Sequence, residues 1–205
     1  RIKLFKHYIN KYKEKISFDN KCIDLGCGPG YNSILLAEQG FSVTAIDFSE
    51  KMLSLAKHNA LSKSCNNLID YKKYDLDNSK ILLEKYSDST DFIICSSVIE
   101  YLDNYQKLLK TIQSLLKNNG IALITFPNKD SLLRKYEKLK LALGFIREGH
   151  YLKYQKNQFQ LSEVCNLINK MGFSLLDSKY FSFSNNIIKP KHNATMFILV
   201  VQKTS

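Results

Sequence analysis

The most constraining feature of the sequence is a glycine-rich stretch, Cys22 to Gly30, with the order Cys-Ile-Asp-Leu-Gly-Cys-Gly-Pro-Gly. Apolar residues on both sides of Asp24 predict the end of a buried strand, and an apolar helical pattern begins at Ile34. The glycines between them allow a tight turn at a place where a Cβ atom would collide with a ligand. The stretch therefore predicts a strand, a ligand-binding loop and a helix, in that order.

A second predicted strand, Phe41 to Ile46, is followed directly by Asp47. An acidic side chain at this position can accept hydrogen bonds from both hydroxyls of a ribose lying across the strand ends. A dinucleotide fingerprint would need its last glycine at position 31, which is Tyr31 in this chain. The pattern therefore favours a nucleoside ligand without a pyrophosphate, and the alternative is an ordinary α/β turn without a ligand.

The spacing Asp-x-Gly-x-Gly-x-Gly from Asp24 to Gly30, followed by Asp47, resembles the first two motifs of class I S-adenosylmethionine-dependent methyltransferases. The resemblance extends over about Lys21 to Lys203 and is to the small-molecule group that includes the type 11 and UbiE-like enzymes. It implies an α/β fold with a doubly wound, seven-stranded, mostly parallel sheet. It also implies S-adenosylmethionine as the cofactor.

The resemblance assigns a set of residues to the binding of S-adenosylmethionine. The resemblance implies that Asp75, rather than Asp77, accepts a hydrogen bond from the adenine amino group, while the backbone amide of Leu76 donates to a ring nitrogen. Phe48 and Met52 are candidates to flank the adenine, although core packing is the alternative for Met52. The predicted cofactor-binding residues are Asp24, Gly26, Cys27, Gly28, Gly30, Asp47, Phe48, Met52, Asp75, Leu76 and Ser96.

The apolar run from Asp91 to Ser96 predicts a central parallel strand covered on both faces. Ligands in such sheets bind at the carboxyl ends of the strands, so Ser96 and the nearby Glu100 should lie close to the transferable methyl group. The residues from Ser96 to Ile99 lack the Asn or Asp, the two prolines and the aromatic residue that enzymes methylating base amino groups carry here. The segment therefore argues against a nucleic-acid base as the methyl acceptor.

After a predicted fifth strand, Ile121 to Phe126, the regular alternation of strand and helix stops. A basic amphipathic helix is predicted over Lys129 to Gly144, and its apolar side is formed by Leu132, Leu133, Tyr136, Leu139 and Leu143. We expect residues 129–158 to form a helical lid and acceptor-site insertion after strand 5; binding to a membrane surface is the alternative. An amphipathic helix over residues 1–18 is expected to lie above the cofactor cleft of one domain, residues 1–205.

A base near the methyl group would assist transfer to a hydroxyl or a protonated amine. His150 is the first candidate because its ordinary pKa is about 6.5, and Glu100 and Tyr151 follow. A loop histidine that only makes hydrogen bonds at the surface is the alternative for His150. His7, His58 and His192 have no carboxylate or cysteine partners at metal-ligand spacing, so we predict no metal.

The net charge of +11 invites a nucleic-acid interpretation, but only three of the 30 basic residues are arginines. The lysines are scattered at spacings that a solvated surface explains, so a nucleic-acid partner is disfavoured. The five cysteines form no Cys-x-x-Cys pair, which indicates reduced thiols and a cytoplasmic protein. No apolar run is long enough to span a bilayer. Nothing in the sequence indicates the oligomeric state.

The sequence therefore predicts an enzyme that moves a methyl group from S-adenosylmethionine to an oxygen or nitrogen of a small organic molecule. An RNA-modifying methyltransferase is one alternative. A partner subunit that binds the cofactor without catalysis is the other, because a glycine loop reports binding and not turnover.

Overall fold

The computed structural model describes residues 1–15, 19–145, 151–182 and 191–204. Within these residues one sheet contains seven strands, in chain order β1 (Lys21–Leu25), β2 (Ser42–Asp47), β3 (Ile69–Lys73), β4 (Thr90–Cys95), β5 (Leu116–Pro127), β6 (Phe173–Phe181) and β7 (Met196–Lys203). Their order across the sheet is β3-β2-β1-β4-β5-β7-β6. Strands β1 to β5 are parallel, and β7 lies antiparallel between β5 and β6. The predicted fold class is confirmed.

Helices cover both faces of the sheet. They are α1 (Ile2–Tyr12), α2 (Tyr31–Glu38), α3 (Glu50–Ala60), α4 (Lys80–Tyr86), α5 (Tyr105–Leu115), α6 (Leu132–Ala142) and α7 (Leu161–Lys170). Apolar residues of α1, α2 and α3 pack on one face, and those of α4, α5 and α7 pack on the other. Because β4 is covered on both sides, all six of its residues are buried, as a continuous apolar run predicts.

The strand register brings the sequence motifs to one edge of the sheet. Leu25 at the end of β1 pairs with Ile46 of β2 on one side and with Cys95 of β4 on the other. The glycine loop, Asp47 and Ser96 therefore leave the sheet side by side. This edge is the position at which open parallel sheets bind their ligands, since the strand order reverses between β1 and β4.

Strand β5 begins earlier than the sequence predicts. The predicted strand starts at Ile121, but Leu116 already pairs with Thr90, and the register shifts between Thr90 and Phe92. Asn119 has a positive φ of 66°, so the irregularity lies inside the strand. The buried Leu116 keeps the chain on the sheet across this irregularity.

Helix α6 forms within the predicted range, but its predicted apolar side faces away from the protein. The five side chains of that side, Leu132, Leu133, Tyr136, Leu139 and Leu143, are all exposed. The buried residue of the helix is Arg134. Its guanidinium donates hydrogen bonds to Thr195 and Gln155, and these contacts orient the helix. The lid role of the segment stays a prediction.

Candidate active site

The glycine loop between β1 and α2 depends on positive φ angles. Gly26, Gly28 and Gly30 have φ values of 68°, 51° and 80°. A Cβ atom on Gly26 would overlap Val98 of the segment after β4, and one on Gly30 would lie 2.8 Å from the Cβ atom of Ala56 in α3. A Cβ atom on Gly28 would meet no described atom within 4 Å. Two of the glycines thus allow close packing, while the third borders open space at the sheet edge.

Asp47 is held by backbone amides. Its Oδ2 atom accepts a hydrogen bond from the Gly28 amide at 2.9 Å, and its Oδ1 atom accepts one from the Ser49 amide at 2.9 Å. Each carboxylate oxygen can accept a further hydrogen bond, so these contacts fix the carboxylate without exhausting it. The Cys27 amide donates to the carbonyl oxygen of Ile46, which ties the loop to the end of β2. The loop and Asp47 therefore form one preorganised unit.

Asp24 lies at the end of β1 and is completely buried. Its Oδ2 atom accepts a 2.6 Å hydrogen bond from Ser33, but its Oδ1 atom has no hydrogen-bond partner among the described residues. Burial raises the pKa of Asp24 to about 6, against the hydrogen bond from Ser33 and the charge of Arg1. An unpaired oxygen on a buried acid is costly, so this atom is a candidate acceptor for a ligand's ammonium or hydroxyl group.

Glu100 and two serines form the other side of the site, after β4. Glu100 is only 4% exposed, and its Oε2 atom lacks a hydrogen-bond partner in the described part of the chain, as do the hydroxyls of Ser96 and Ser97. Burial raises the pKa of Glu100 to about 7, although its own backbone amide and the charges of Arg134 and Arg1 oppose the change. A carboxyl group titrating in this range can take up or release a proton near neutral pH.

Two arginines near these acids were not among the predicted site residues. Arg1, at the start of α1, interacts electrostatically with both Asp24 and Glu100, and burial lowers the pKa of its guanidinium. Arg134 donates hydrogen bonds to the carbonyl oxygen of Thr195 and to Gln155, the latter at 3.0 Å. The sequence could have indicated them, because arginine is rare in this lysine-rich chain and these are two of its three arginines.

The predicted adenine-side residues follow β2 and β3. Phe48 is 73% exposed, Met52 is half-buried on α3, and Leu76 is buried. Asp75 is exposed, and its Oδ1 atom accepts a hydrogen bond from the Asp77 amide at 3.0 Å. The structure brings these residues to the same sheet edge as Asp47, since the Tyr74 amide donates to the Asp47 carbonyl oxygen. An exposed phenylalanine beside Asp47 is a candidate stacking surface for a nucleoside base.

Cys27, the remaining predicted cofactor residue, is buried within the loop. Burial raises the pKa of its thiol, as do the charges of Asp24 and Asp47. A thiol in this state is neutral and a poor nucleophile. Cys27 therefore contributes its backbone and its volume to the loop.

On the acceptor side, the chain after α6 is attached to the segment carrying Glu100. The amides of Lys156 and Asn157 both donate to the Glu100 carbonyl oxygen, at 2.8 and 3.1 Å. The Asn157 side chain donates to the carbonyl oxygens of Ile99 and Leu102. His150 lies outside the described residues, and Tyr151 is described only as part of a 3₁₀ turn, Tyr151–Lys153. Of the three predicted catalytic residues, the structure thus positions the side chain of Glu100 alone.

Neither a metal cluster nor a membrane span is found in the part of the chain that the structure describes. No group of three or more metal-ligating side chains converges there, and no helix has the length and apolar character needed to cross a bilayer. The prediction of no metal stays a prediction.

The geometry suits the binding of a nucleoside with a charged appendage. Asp47 offers acceptors to ribose hydroxyls, while Asp24, Glu100 and Arg1 present both signs of charge a short distance along the same edge. Beyond Glu100 lies the segment pinned by Asn157, where a second molecule could approach. The arrangement therefore provides one place for a cofactor and an adjacent place for an acceptor.

The chain is similar in sequence to known bacterial methyltransferases. A ubiquinone biosynthesis O-methyltransferase of Coxiella burnetii is 32% identical over 120 residues, which cover 56% of this chain and 49% of that protein. The corresponding protein of Rickettsia canadensis is 29% identical over 181 residues, covering 86% of this chain and 70% of that protein. The chain thus spans about half of the length of the Coxiella relative.

Structural similarity extends over nearly the whole chain. The crystal structure of an S-adenosylmethionine-dependent methyltransferase from Methanosarcina mazei has a TM-score of 0.72 and 19% identity, covering 96% of this chain and 97% of that one. At this identity the match shows a shared fold. The family model described as a methyltransferase domain matches residues 1–178. The chain therefore belongs to the methyltransferase domain family, as the glycine loop and Asp47 predicted.

Proposed function

We propose that this protein transfers a methyl group from S-adenosylmethionine to an oxygen or nitrogen atom of a small organic molecule. The observation that carries the proposal is the unit formed by Gly28 and Asp47, in which a fixed carboxylate stands beside open space at the carboxyl edge of the sheet. Family membership supports it. The names of the two bacterial relatives favour oxygen as the acceptor atom.

The cofactor would lie along the edge from β3 to β4. Asp47 would bind the ribose hydroxyls, Phe48 and Met52 would contact the adenine, and Asp75 with the Leu76 amide would bind its polar edge. Asp24 and Arg1 would bind the amino and carboxylate groups of the methionine part, because their charges complement those groups and the Asp24 Oδ1 atom lacks a partner in the described residues. Helix α1, which directly follows Arg1, would thereby help to close this end of the cleft.

The cofactor, when bound, supplies a methyl group already activated by a sulfonium. The protein's task is to hold an acceptor lone pair in line with that methyl group and away from water. A hydroxyl acceptor loses its proton as the new bond forms, and the Glu100 carboxylate would take up this proton. Because the pKa of Glu100 is about 7, its ionised fraction, and with it the rate, should rise between pH 6 and 8. His150 and Tyr151 remain candidates for the same role.

The test is methyl transfer from radiolabelled S-adenosylmethionine to fractionated bacterial extract, with total RNA as a separate acceptor. We expect label in an organic-extractable small molecule that wild-type protein produces and Asp47→Ala protein does not. Label in RNA would contradict the proposal, and cofactor binding without label in any fraction would favour a non-catalytic partner subunit. The predicted cytoplasmic location, the absence of a nucleic-acid partner and the lid role of residues 129–158 stay predictions.

Once an acceptor is identified, Glu100→Gln distinguishes a base from a packing residue. We expect kcat to fall at least about tenfold while the Kd for S-adenosylhomocysteine stays within twofold, because the amide keeps the shape but cannot accept the proton. The rise in rate between pH 6 and 8 should also disappear. A variant that retains both the rate and the pH profile would remove Glu100 from the mechanism.

A further inference from the structure

Helix α6 carries an outward-facing apolar stripe, formed by Leu132, Tyr136, Leu139 and Leu143. Their spacing of four, three and four residues places them on one face of the helix. They are 59%, 53%, 56% and 61% exposed. Phe145, which follows the helix, is 76% exposed. Monomeric proteins expose single apolar residues freely, but a continuous stripe marks an interaction surface.

The outward orientation is set by the opposite face of the same helix. Arg134 lies about 200° around the helix from Leu132, since each residue advances roughly 100°. Its guanidinium donates hydrogen bonds to Thr195, Gln155 and Met196, and it is 3% exposed. Turning the stripe inward would break these contacts and expose the buried acceptors. The outward orientation of the stripe therefore follows from the buried hydrogen bonds of Arg134 on the opposite face of the helix.

Lysines border the stripe on both sides. Lys135 lies roughly 60° to one side of Leu132 and Lys140 roughly 80° to the other, at 100° per residue. The ammonium group of Lys140 sits 4.7 Å from the centre of the Tyr136 ring. Lys135, Lys138 and Lys140 are all exposed. Lys138 lies further round the helix, roughly 120° from Leu132 at 100° per residue. An apolar stripe with a cation on each side matches a surface whose interior is apolar and whose outer layer is anionic.

We propose that this stripe docks the protein on an anionic lipid bilayer, with the leucines and Tyr136 inserted at the level of the acyl boundary and the three lysines facing headgroup phosphates. This inference goes beyond the proposed methyl transfer and does not depend on it. A second copy of the chain is a poorer match, because a symmetric contact would bring the flanking lysines of two proteins of net charge +11 together. A bilayer surface of phosphatidylglycerol instead neutralises them.

The test is co-sedimentation of the purified protein with vesicles of phosphatidylcholine and phosphatidylglycerol at a 3:1 ratio, and with vesicles of phosphatidylcholine alone. We expect binding to the anionic vesicles and little to the neutral ones. The double variant Leu139→Asp/Leu143→Asp should partition at least about tenfold more weakly, because it replaces two inserted side chains with charges. Ile81→Asp, an exposed position on α4, is the matched control and should bind as wild type does.

A second set of variants tests the lysines. The triple change Lys135→Gln/Lys138→Gln/Lys140→Gln should weaken binding and flatten its dependence on salt, whereas Lys85→Gln/Lys110→Gln/Lys170→Gln on other helices should do neither. An unchanged midpoint of urea unfolding in every variant establishes that the fold is intact. The proposal would be overturned if wild-type protein does not bind anionic vesicles, or if Leu139→Asp/Leu143→Asp binds them as strongly as wild type does. Self-association of wild type that the leucine variant abolishes would overturn it in favour of a second copy.

Discussion

Between β1 and α3 the carboxyl edge of the sheet is fixed by backbone atoms, whereas beyond β5 it is fixed by a few side chains. Asp47 is held by the amides of Gly28 and Ser49, and the loop itself requires positive φ angles. On the acceptor side, Arg134 orients α6, and Asn157 pins the following segment to the turn after β4. A backbone-built site tolerates little change, while a site built on a few side chains can be altered by single substitutions.

The largest expected effect is on the cofactor side, from Gly30→Ala. The new Cβ atom would lie 2.8 Å from the Cβ atom and 3.1 Å from the Cα atom of Ala56, at a φ of 80°. We expect the free energy of unfolding in urea to fall by about 4 kcal/mol, from overpacking and left-handed strain together. Gly40→Ala is the matched control, because it has a φ of 88° with no described atom within 4 Å, and it should lose only about 1 kcal/mol. Equal losses would mean that the α3 contact is not tight.

Glu100, at the boundary between the two regions, should make stability depend on pH. The folded carboxyl keeps its proton up to about pH 7, whereas the unfolded carboxyl releases it near its ordinary value of 4.5. The folded state therefore holds the extra proton in this window, and the free energy of unfolding falls as the pH rises through it.

We expect the Glu100 contribution to that loss to be on the order of 3 kcal/mol, and Glu100→Gln to remove it. Urea unfolding at pH 5 and pH 8 measures the difference. The pKa of Asp24 is also raised, to about 6, so its ionisation lowers the free energy of unfolding further as the pH rises towards 6. This contribution is the same in wild type and in Glu100→Gln. Identical pH dependence in wild type and variant would show that Glu100 ionises normally.

On the acceptor side, Arg134→Gln should cost about 2 kcal/mol, because it removes the buried guanidinium's hydrogen bonds to the Thr195 carbonyl oxygen and to the Gln155 side chain. Hydrogen exchange should rise in α6 and not in α2, since the anchor is local. Lys135→Gln, at the neighbouring exposed position, is the control and should leave both quantities unchanged. A uniform rise in hydrogen exchange across the sheet would mean that the region from β1 to α3 and the region beyond β5 unfold together rather than independently.

The smallest expected effect is from Leu139→Ala on the outer stripe of α6. The side chain is 56% exposed, so its loss should change the free energy of unfolding by no more than about 0.5 kcal/mol. Leu109→Ala, on the buried face of α5, should cost about 3 kcal/mol in the same urea experiment. A large loss at Leu139 would show that another part of the protein covers the stripe.

The same contrast explains what the sequence could predict. The glycine spacing, Asp47 and the apolar run of β4 each demand one local structure, so the sheet and the cofactor edge followed from them. The apolar spacing of α6 predicted a helix correctly but not the direction of its face, which depends on acceptors at Thr195 and Gln155 that are distant in sequence. Arg1 was missed for a related reason, since its relation to Asp24 and Glu100 exists only after α1 has packed.

The central claim is that the open space beside Gly28 and Asp47 holds S-adenosylmethionine, and calorimetric titration with S-adenosylhomocysteine tests it most directly. Gly28 and Gly40 both have positive φ and space for a Cβ atom in the described structure, so alanine at either should cost similar stability. We predict micromolar binding by wild type and by Gly40→Ala, and at least about tenfold weaker binding by Gly28→Ala. Equal affinity in the two variants, or no binding by wild type, would contradict the account.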